Sequence, residues 1–283
     1  MPQTLDLVRE FLNTHPDSAA DTLETIEPEA AASLLAELPT DDAATVAVHM
    51  VPGFLASCLS AMAHEPAGRI LARMPARSAA MALRHIDRDE RAPLVALIGT
   101  TRRAHVSLIL RQPIQTVGAW IDTRVPALRA DDTVKEARDR LTQVDSAFDR
   151  VFIVDEDHRL LGAVPVRTLL LQSTKSTLSD LMEAQTDRML GSLTIEAARD
   201  DPSWGQADIQ PVVDASGRLL GAIRHADLRR ALVPEVASVS AMDGENPALE
   251  ITHMVYLGLA EAMNLTLGQM QNRRNGSKGA GSA

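Results

Sequence analysis

An eleven-residue stretch that occurs twice constrains this chain more than any other feature. Residues 154–164 and 213–223 share the block Arg-Leu-Leu-Gly-Ala at an offset of 59 residues, and an apolar residue followed by Asp precedes it both times. Each copy predicts a β-hairpin, since an apolar strand, a polar turn and a second apolar strand follow one another. We expect the Asp side chain to open the turn, and the Gly to mark a close backbone approach within the second strand. Two such hairpins indicate two copies of one small unit packed on each other.

The surroundings of both hairpins resemble CBS domains. The pattern V-D-x-x-x-x-L-x-G followed by a short helix is similar to the second half of such a domain, and residues 130–137 match the helix start of its first half. Thr133 and Glu136 also predict a capping box at that helix start. In the second copy Arg199–Pro202 interrupts the corresponding helix, because proline breaks helices. The resemblance implies a pseudo-twofold CBS pair over about residues 112–233.

Residues 16–110 carry a twelve-residue repeat. Small or apolar residues recur at every twelfth position in three series, which begin Ala20, Ala32, Ala44, then Ile26, Leu38, Met50, then Leu23, Leu35, Ala47. Within a unit the apolar residues lie on one face of a helix, and prolines stand near the helix starts. Each unit therefore predicts a two-turn helix and a turn. Because so short a helix is unstable alone, the units are expected to stack into a short α-solenoid.

This repeat, with sequences such as residues 27–39, resembles the cytosolic N domain of MgtE-type magnesium transporters. Similar repeats build the middle domain of the flagellar switch protein FliG, but the order of repeat and CBS pair is more specific and resembles the cytosolic half of MgtE. The predicted fold class is multidomain α plus α/β, with an all-helical right-handed superhelix, a tandem CBS pair and a C-terminal helix. The predicted segments are 1–111 (repeat domain), 112–176 and 177–233 (CBS-like domains), 234–271 (connecting segment and C-terminal helix) and 272–283 (disordered tail).

Composition excludes several classes of function. The net charge of −10 and the aromatic content of 2% disfavour nucleic-acid binding. The sequence has no H-E-x-x-H, P-loop or G-x-G-x-x-G motif, so we do not expect an enzyme. The single cysteine, Cys58, lies at an apolar repeat position and is predicted to be a buried structural thiol. Without a signal-peptide pattern or an apolar run of membrane-spanning length, the chain is predicted to be cytoplasmic.

Charge is divided along the repeat. Residues 1–66 hold eleven acids and one base, whereas residues 67–110 hold eight arginines and three acids. Two interpretations of this pattern are open. Either the charges lie on solvated helix faces, or the acids form a surface whose electrostatic repulsion is screened by divalent cations. The MgtE resemblance implies regulatory Mg²⁺ between the N domain, the CBS pair and the connecting helix. Acidity and placement give these predicted Mg²⁺ ligands: Asp41, Asp42, Asp87, Asp89, Glu90, Asp243, Glu245 and Glu250.

A second predicted ligand is an adenine nucleotide. CBS pairs often hold adenosine compounds, and the resemblance implies an Asp in a [ST]-x-x-D segment that binds the ribose hydroxyls. Asp227 occupies that carboxylate position, although Arg224 replaces the hydroxyl residue. The first copy has Pro165 and Thr168 at these places and lacks the motif. Asp227 is therefore the predicted nucleotide-binding residue, with a turn cap as its ordinary alternative.

The expected function is a Mg²⁺-responsive regulatory protein related to MgtE. Residues 248–271 predict an amphipathic helix where the family's connecting helix leads into the membrane, but a polar Gly/Ser tail follows in place of a pore. We therefore expect a homodimer formed through the CBS domains that acts on a membrane transporter without being a pore itself. Two alternatives stay open, namely a CBS adenine-nucleotide sensor and a metal-independent scaffold that binds a membrane or motor partner.

Overall fold

The structure is a computed structural model and describes residues 12, 14–142, 148–184 and 186–232. The described chain forms two compact units, of which the first ends at Arg73 and the second begins at Met74. No helix among the described residues is long and apolar enough to cross a membrane. The predicted C-terminal helix and tail lie outside the described residues.

The first compact unit consists of five short helices. They are α1 (Pro16–Leu23), α2 (Pro28–Glu37), α3 (Thr40–His49), α4 (Pro52–Ala61) and α5 (His64–Arg73). Proline begins α1, α2 and α4, where its missing N–H has no helical partner to lose. The most extensive helix contacts join α1 to α3, α2 to α4 and α3 to α5. Each helix therefore packs mainly on the next helix but one along the chain.

The second compact unit begins with three more helices of the repeat. They are α6 (Ala76–Arg84), α7 (Arg88–Leu97) and α8 (Thr100–Leu110), and α6 packs against α8. The Arg84 Nη2 atom donates hydrogen bonds to the carbonyl oxygens of Ile109 (2.6 Å) and Gln112 (2.7 Å), which fixes the end of α8. Arg102 donates to the carbonyl of Met74 in the same unit.

The predicted repeat register is confirmed by burial within each compact unit. Fully or nearly fully buried members of the series include Leu35 and Leu59 in the first unit and Leu83 and Ile98 in the second. The small-residue series is buried from Ala20 onwards but is exposed at its last two positions, 92 and 104. The apolar stripe therefore forms the core of each stack, as a solenoid requires.

Two hairpin units follow the repeat within the second compact unit. The first hairpin unit comprises β1 (Ala127–Arg129), α9 (Val134–Thr142), β2 (Arg150–Val154), β3 (Leu160–Pro165) and α10 (Val166–Leu171). The second comprises β4 (Met189–Leu190), α11 (Ile195–Arg199), β5 (Ile209–Val213), β6 (Leu219–Arg224) and α12 (His225–Ala231). Each has a three-stranded sheet in which the first two strands are parallel and the last two antiparallel. The two predicted hairpins, β2–β3 and β5–β6, are confirmed.

Each hairpin unit also pairs with the lead-in segment of the other. Asp122, ahead of the first unit, exchanges backbone hydrogen bonds with Ala222 of β6 (2.8 and 3.0 Å). Glu183, ahead of the second unit, does the same with Ala163 of β3 (2.9 and 3.2 Å). A Cβ atom at Gly162 would lie 2.5 Å from the Glu183 carbonyl oxygen, and one at Gly221 would lie 2.4 Å from that of Asp122. The predicted role of these glycines is confirmed, because only a residue without a Cβ leaves room for the crossing backbone.

The two hairpin units share one apolar core, and their turns are built alike. The shared cluster consists of Phe148, Phe152, Val154, Leu160, Ala163, Ile209, Val213, Leu219 and Ala222. In the first turn Asp155 Oδ1 accepts the Arg159 N–H at 2.8 Å. In the second turn Asp214 Oδ1 accepts the N–H groups of Ser216 (2.8 Å) and Arg218 (2.9 Å). The turn role predicted for both aspartates is therefore confirmed.

The helices of the two hairpin units differ. At the start of α9 the Thr133 N–H donates to Glu136 Oε2 (2.7 Å) and the Glu136 N–H donates to Thr133 Oγ1 (3.3 Å), which is the predicted capping box. The helix α11 has only five residues. Asp201 and Pro202 then begin a short 3₁₀ turn, so the predicted interruption is confirmed.

Candidate functional site

A cavity of about 510 Å³, the cleft cavity below, lies where the first hairpin unit meets the second. Its lining combines the start of β2, the start of α10, the lead-in to β4 and the loop before β5. The lining residues are Phe148, Asp149, Arg150, Pro165, Val166, Arg167, Glu183, Thr186, Asp187, Gln206, Ala207 and Gln210. The lining therefore offers both charged groups and an apolar wall.

Backbone and amide hydrogen bonds hold the cleft cavity in shape. The Val166 N–H donates to the Asp149 carbonyl at 2.8 Å, so the start of α10 is fixed beside the start of β2. On the opposite side the Gln210 side chain is buried, and its Nε2 donates to the carbonyls of Ser203 (2.8 Å) and Ala207 (3.2 Å). The loop between α11 and β5 is therefore positioned by a side chain within the strand that follows it.

Two arginines line the cleft cavity. The Arg150 side chain is 17% exposed, and its buried Nε makes no hydrogen bond to any described residue. The nearest carboxylate is that of Asp149, whose Oδ1 lies 3.4 Å from the same atom and forms an ion pair with it. Arg167 is exposed at the start of α10. A guanidinium group that lines a cavity is suited to binding an anionic oxygen there.

Three carboxylates share the cleft lining, those of Asp149, Glu183 and Asp187. Glu183 and Asp187 are exposed. Carboxylates beside arginines suit a ligand that carries both phosphate groups and a divalent cation, because Mg²⁺ is usually held by one or two carboxylates together with phosphate oxygens. None of the lining residues was predicted as a site residue from the sequence.

Asp227, the predicted nucleotide-binding residue, does not line the cleft cavity. It lies in the first turn of α12 with its side chain 8% exposed, and its Oδ1 is 3.0 Å from Arg77 Nη1. Arg230 approaches the same oxygen at 3.4 Å. Asp227 is therefore buried and ion-paired, while its role in nucleotide binding stays a prediction.

The predicted Mg²⁺ ligands fall into separate places. In the first compact unit Asp41 forms an ion pair with Arg73 (3.3 Å), whereas its neighbour Asp42 is buried. In the second unit Asp87, Asp89 and Glu90 are exposed at the start of α7. Asp243, Glu245 and Glu250 lie outside the described residues. Within the described part of the chain, no three His, Cys, Asp or Glu side chains are grouped so that they could hold a metal ion, and the predicted ligands stay a prediction.

Cys58 has the environment of a structural thiol. It is fully buried on α4, and burial raises the pKa of its thiol to about 12. The thiolate is the nucleophilic form, so a thiol with such a pKa is unreactive at neutral pH.

Two family models match the chain. Residues 14–114 match the MgtE intracellular N domain, and residues 117–173 match the CBS domain. The chain thus contains one region similar to the MgtE intracellular N domain and, after it, one similar to a CBS domain. The second hairpin unit repeats the strand order of the first, and the predicted recognition is confirmed. No curated protein sequence matches the chain significantly.

Two solved structures share the fold. One is described as the cytosolic domain of the Mg²⁺ channel MgtE in complex with ATP, with 24% identity, coverage of 79% of this chain and 93% of that chain, and a TM-score of 0.69. The other is described as the soluble part of a magnesium transporter, with 19% identity, coverage of 84% and 100%, and a TM-score of 0.58. At these identities the likeness shows the fold, and the predicted fold class is confirmed for the described residues.

Proposed function

We propose that this chain is a regulatory module that binds an adenine nucleotide in the cleft cavity. The observation that carries the proposal is that two arginines, Arg150 and Arg167, line one cavity of about 510 Å³. Guanidinium groups bind phosphate oxygens through charge-assisted hydrogen bonds. The similar MgtE cytosolic domain, which was solved in complex with ATP, supports the same ligand class.

Each side of the cleft cavity has a part in this proposal. Arg150 and the exposed Arg167 would bind the phosphates, since guanidinium groups suit phosphate oxygens. The side chains of Pro165 and Val166 form an apolar surface for the base. The Phe148 ring is less accessible, because it is buried in the shared core with the Arg224 guanidinium 5.2 Å from its centroid.

Mg²⁺ enters the proposal by two routes. In the first route it arrives with the nucleotide, bridging phosphate oxygens and the carboxylates of Asp149, Glu183 or Asp187. In the second route it acts on the acidic repeat directly, which is the Mg²⁺-responsive role expected from the sequence. The match to the MgtE N domain and the excess of acids in residues 1–66 support the second route. In either case binding shifts the protein only if its two conformations differ in affinity for the ligand.

The remaining parts of the proposal concern partners. We propose a homodimer formed through the CBS pair and regulation of a membrane transporter. The metal-independent scaffold stays as the alternative. Size-exclusion chromatography with light scattering checks the dimer, and a monomer at micromolar concentration would contradict it.

Isothermal titration calorimetry with ATP and with AMP, each with and without Mg²⁺, tests nucleotide binding. We expect ATP to bind, and Arg167→Gln to raise the Kd about tenfold because a charge-assisted contact to phosphate is lost. Arg188→Gln is the matched control, since Arg188 is exposed and does not line the cleft cavity. Failure of the wild-type chain to bind either nucleotide, or equal Kd values for all three proteins, would contradict the proposal.

The direct Mg²⁺ route has its own test. Small-angle scattering of the nucleotide-free protein in chelator and in millimolar Mg²⁺ measures the radius of gyration. We expect it to fall when Mg²⁺ screens the acids of the repeat. An unchanged radius would exclude the second route and leave the nucleotide proposal standing.

A further inference from the structure

An ion pair with a buried carboxylate joins the helical repeat to the second hairpin unit, and both partners lie in the second compact unit. Arg77 comes from the first turn of α6 and Asp227 from the first turn of α12, and Arg77 Nη1 lies 3.0 Å from Asp227 Oδ1. The side chain of Arg77 is 30% exposed, whereas that of the second cation, Arg230, is 76% exposed. Arg77 is therefore the main counter-charge of the carboxylate.

The position of Arg77 is unfavourable for its own helix. The N-terminal turn of a helix carries a partial positive charge, which repels a cation. The first turn of α6, which begins at Ala76, contains no acidic residue that would offset this repulsion. The ion pair with the carboxylate on α12 explains why an arginine stands in the first turn of α6. No feature of α6 itself explains it.

The carboxylate in turn needs a cation. A buried carboxylate without a partner is strongly destabilised, so Asp227 requires either a positively charged side chain or a metal ion. We infer that Arg77 is a built-in cation that determines what Asp227 can bind, because its guanidinium occupies the place beside Oδ1 that a divalent cation would need. Docking of α6 on α12 is then independent of Mg²⁺. This contact lies outside the cleft cavity, so the inference does not rest on nucleotide binding there.

Replacing the arginine by an acid converts the contact into a metal-dependent one. In Arg77→Glu two carboxylates face each other, and a divalent cation can bridge them. In chelator we expect the melting temperature to fall by about 5–10 °C relative to wild type. Millimolar Mg²⁺ should restore part of this loss, so the Mg²⁺-induced rise is larger in the variant than in wild type. Adding Asp227→Asn to Arg77→Glu should remove the extra rise.

Two further variants separate this effect from a general response to charge. Arg69→Glu places an acid beside Glu65 on the surface of α5, where Arg69 and Glu65 now form an exposed pair at 2.7 Å, and its Mg²⁺-induced rise should equal that of wild type. Arg77→Asp combined with Asp227→Arg restores the pair with reversed charges and should be more stable than either single variant. If Arg77→Glu does not fold in chelator, the charge reversal still decides the question.

The inference is overturned if Mg²⁺ stabilises Arg77→Glu no more than wild type, or if the charge-reversed protein is no more stable than its parents. ATP titration of Arg77→Gln should give the wild-type Kd. If neither the wild type nor the variant binds ATP, the result contradicts the proposed function and leaves this inference intact. A Kd changed only in Arg77→Gln would count against the independence of the two sites.

Discussion

The two hairpin units have the same strand order and the same exchanged lead-in, but their helices diverge. In the first, α9 has nine residues behind a complete capping box, and α10 contributes Arg167 to the cleft cavity. In the second, α11 has five residues, and α12 contributes a carboxylate that is already paired with Arg77. The hairpin with its glycine is thus the part that fixes how the units pair. The helices of the two units differ in length and in the charged side chains that they carry. The groups available to bind a ligand therefore differ between the two hairpin units.

The largest effect is expected from adding a methyl group where the lead-in crosses. Gly221→Ala should cost about 3 kcal/mol of unfolding free energy, because the new Cβ would lie 2.4 Å from a backbone oxygen of Asp122. Gly162→Ala should cost a similar amount or less, since part of its crowding comes from the flexible Met182 side chain. Urea denaturation of both variants measures the difference.

Gly205→Ala is the control for this pair, because no described atom lies within 4 Å of a Cβ built at Gly205. It should change the unfolding free energy by less than about 0.5 kcal/mol. If all three alanine variants were equally stable, the lead-in exchange would not be what fixes the pairing of the units.

Removing a helix cap should lower the unfolding free energy by less than these glycine substitutions, and by different amounts in the two hairpin units. Thr133→Ala removes the hydroxyl, which accepts the Glu136 N–H (3.3 Å) and donates to Glu136 Oε2 (2.8 Å), and should cost about 1 kcal/mol. Thr194→Ala removes only the hydrogen bond from the Ala197 N–H (3.3 Å) and should cost about 0.5 kcal/mol. Thermal unfolding ranks the two, and a larger loss at Thr194 would reverse the comparison.

The smallest effect on stability is expected from replacing the aspartates of the two hairpin turns, and this effect depends on pH. The pKa of Asp214 is lowered, chiefly by the hydrogen bond from the Ser216 hydroxyl and then by the backbone N–H groups of Arg218 and Ser216. A lowered pKa means that the stabilisation is complete above the unfolded value of about 4 and disappears as the pH falls through the folded value.

At neutral pH Asp214→Asn should therefore cost less than about 1 kcal/mol, because the site is exposed and solvent screens it. The difference from wild type should shrink as the pH falls below about 4. Urea midpoints at both pH values check this, and Asp155→Asn is the matched variant, because Asp155 Oδ1 accepts the Arg159 N–H. A stability difference between Asp214→Asn and wild type that increases at low pH would contradict the lowered pKa of Asp214.

Local patterns predicted the local structure well. The twelve-residue series gave the buried stripe, Arg-Leu-Leu-Gly-Ala gave both hairpins, and Asp201-Pro202 gave the break after α11. Each of these follows from residues within one or two turns of one another. The alternation of packing in the repeat did not follow, because the period fixes which face is buried and leaves open which helix covers it.

The candidate site could not be predicted, because it depends on contacts between distant segments. The cleft cavity brings residues near position 149 together with others near 187 and 207, and nothing in their local sequence marks them as neighbours. The pairing of Arg77 with Asp227 joins residues 150 positions apart. The family motif drew attention to Asp227, but no sequence pattern showed that a repeat helix supplies its counter-charge.

The exchange of lead-in segments determines what would happen if the chain were cut between its two hairpin units. A cut between the two hairpin units would remove Glu183 from β3 and Asp122 from β6, leaving each fragment with one bare edge. An unpaired strand edge recruits another strand, so a lone half would recover its missing segment from a second molecule. Within one chain each hairpin unit supplies the segment that completes the sheet of the other, so we expect the two units to fold as one cooperative structure.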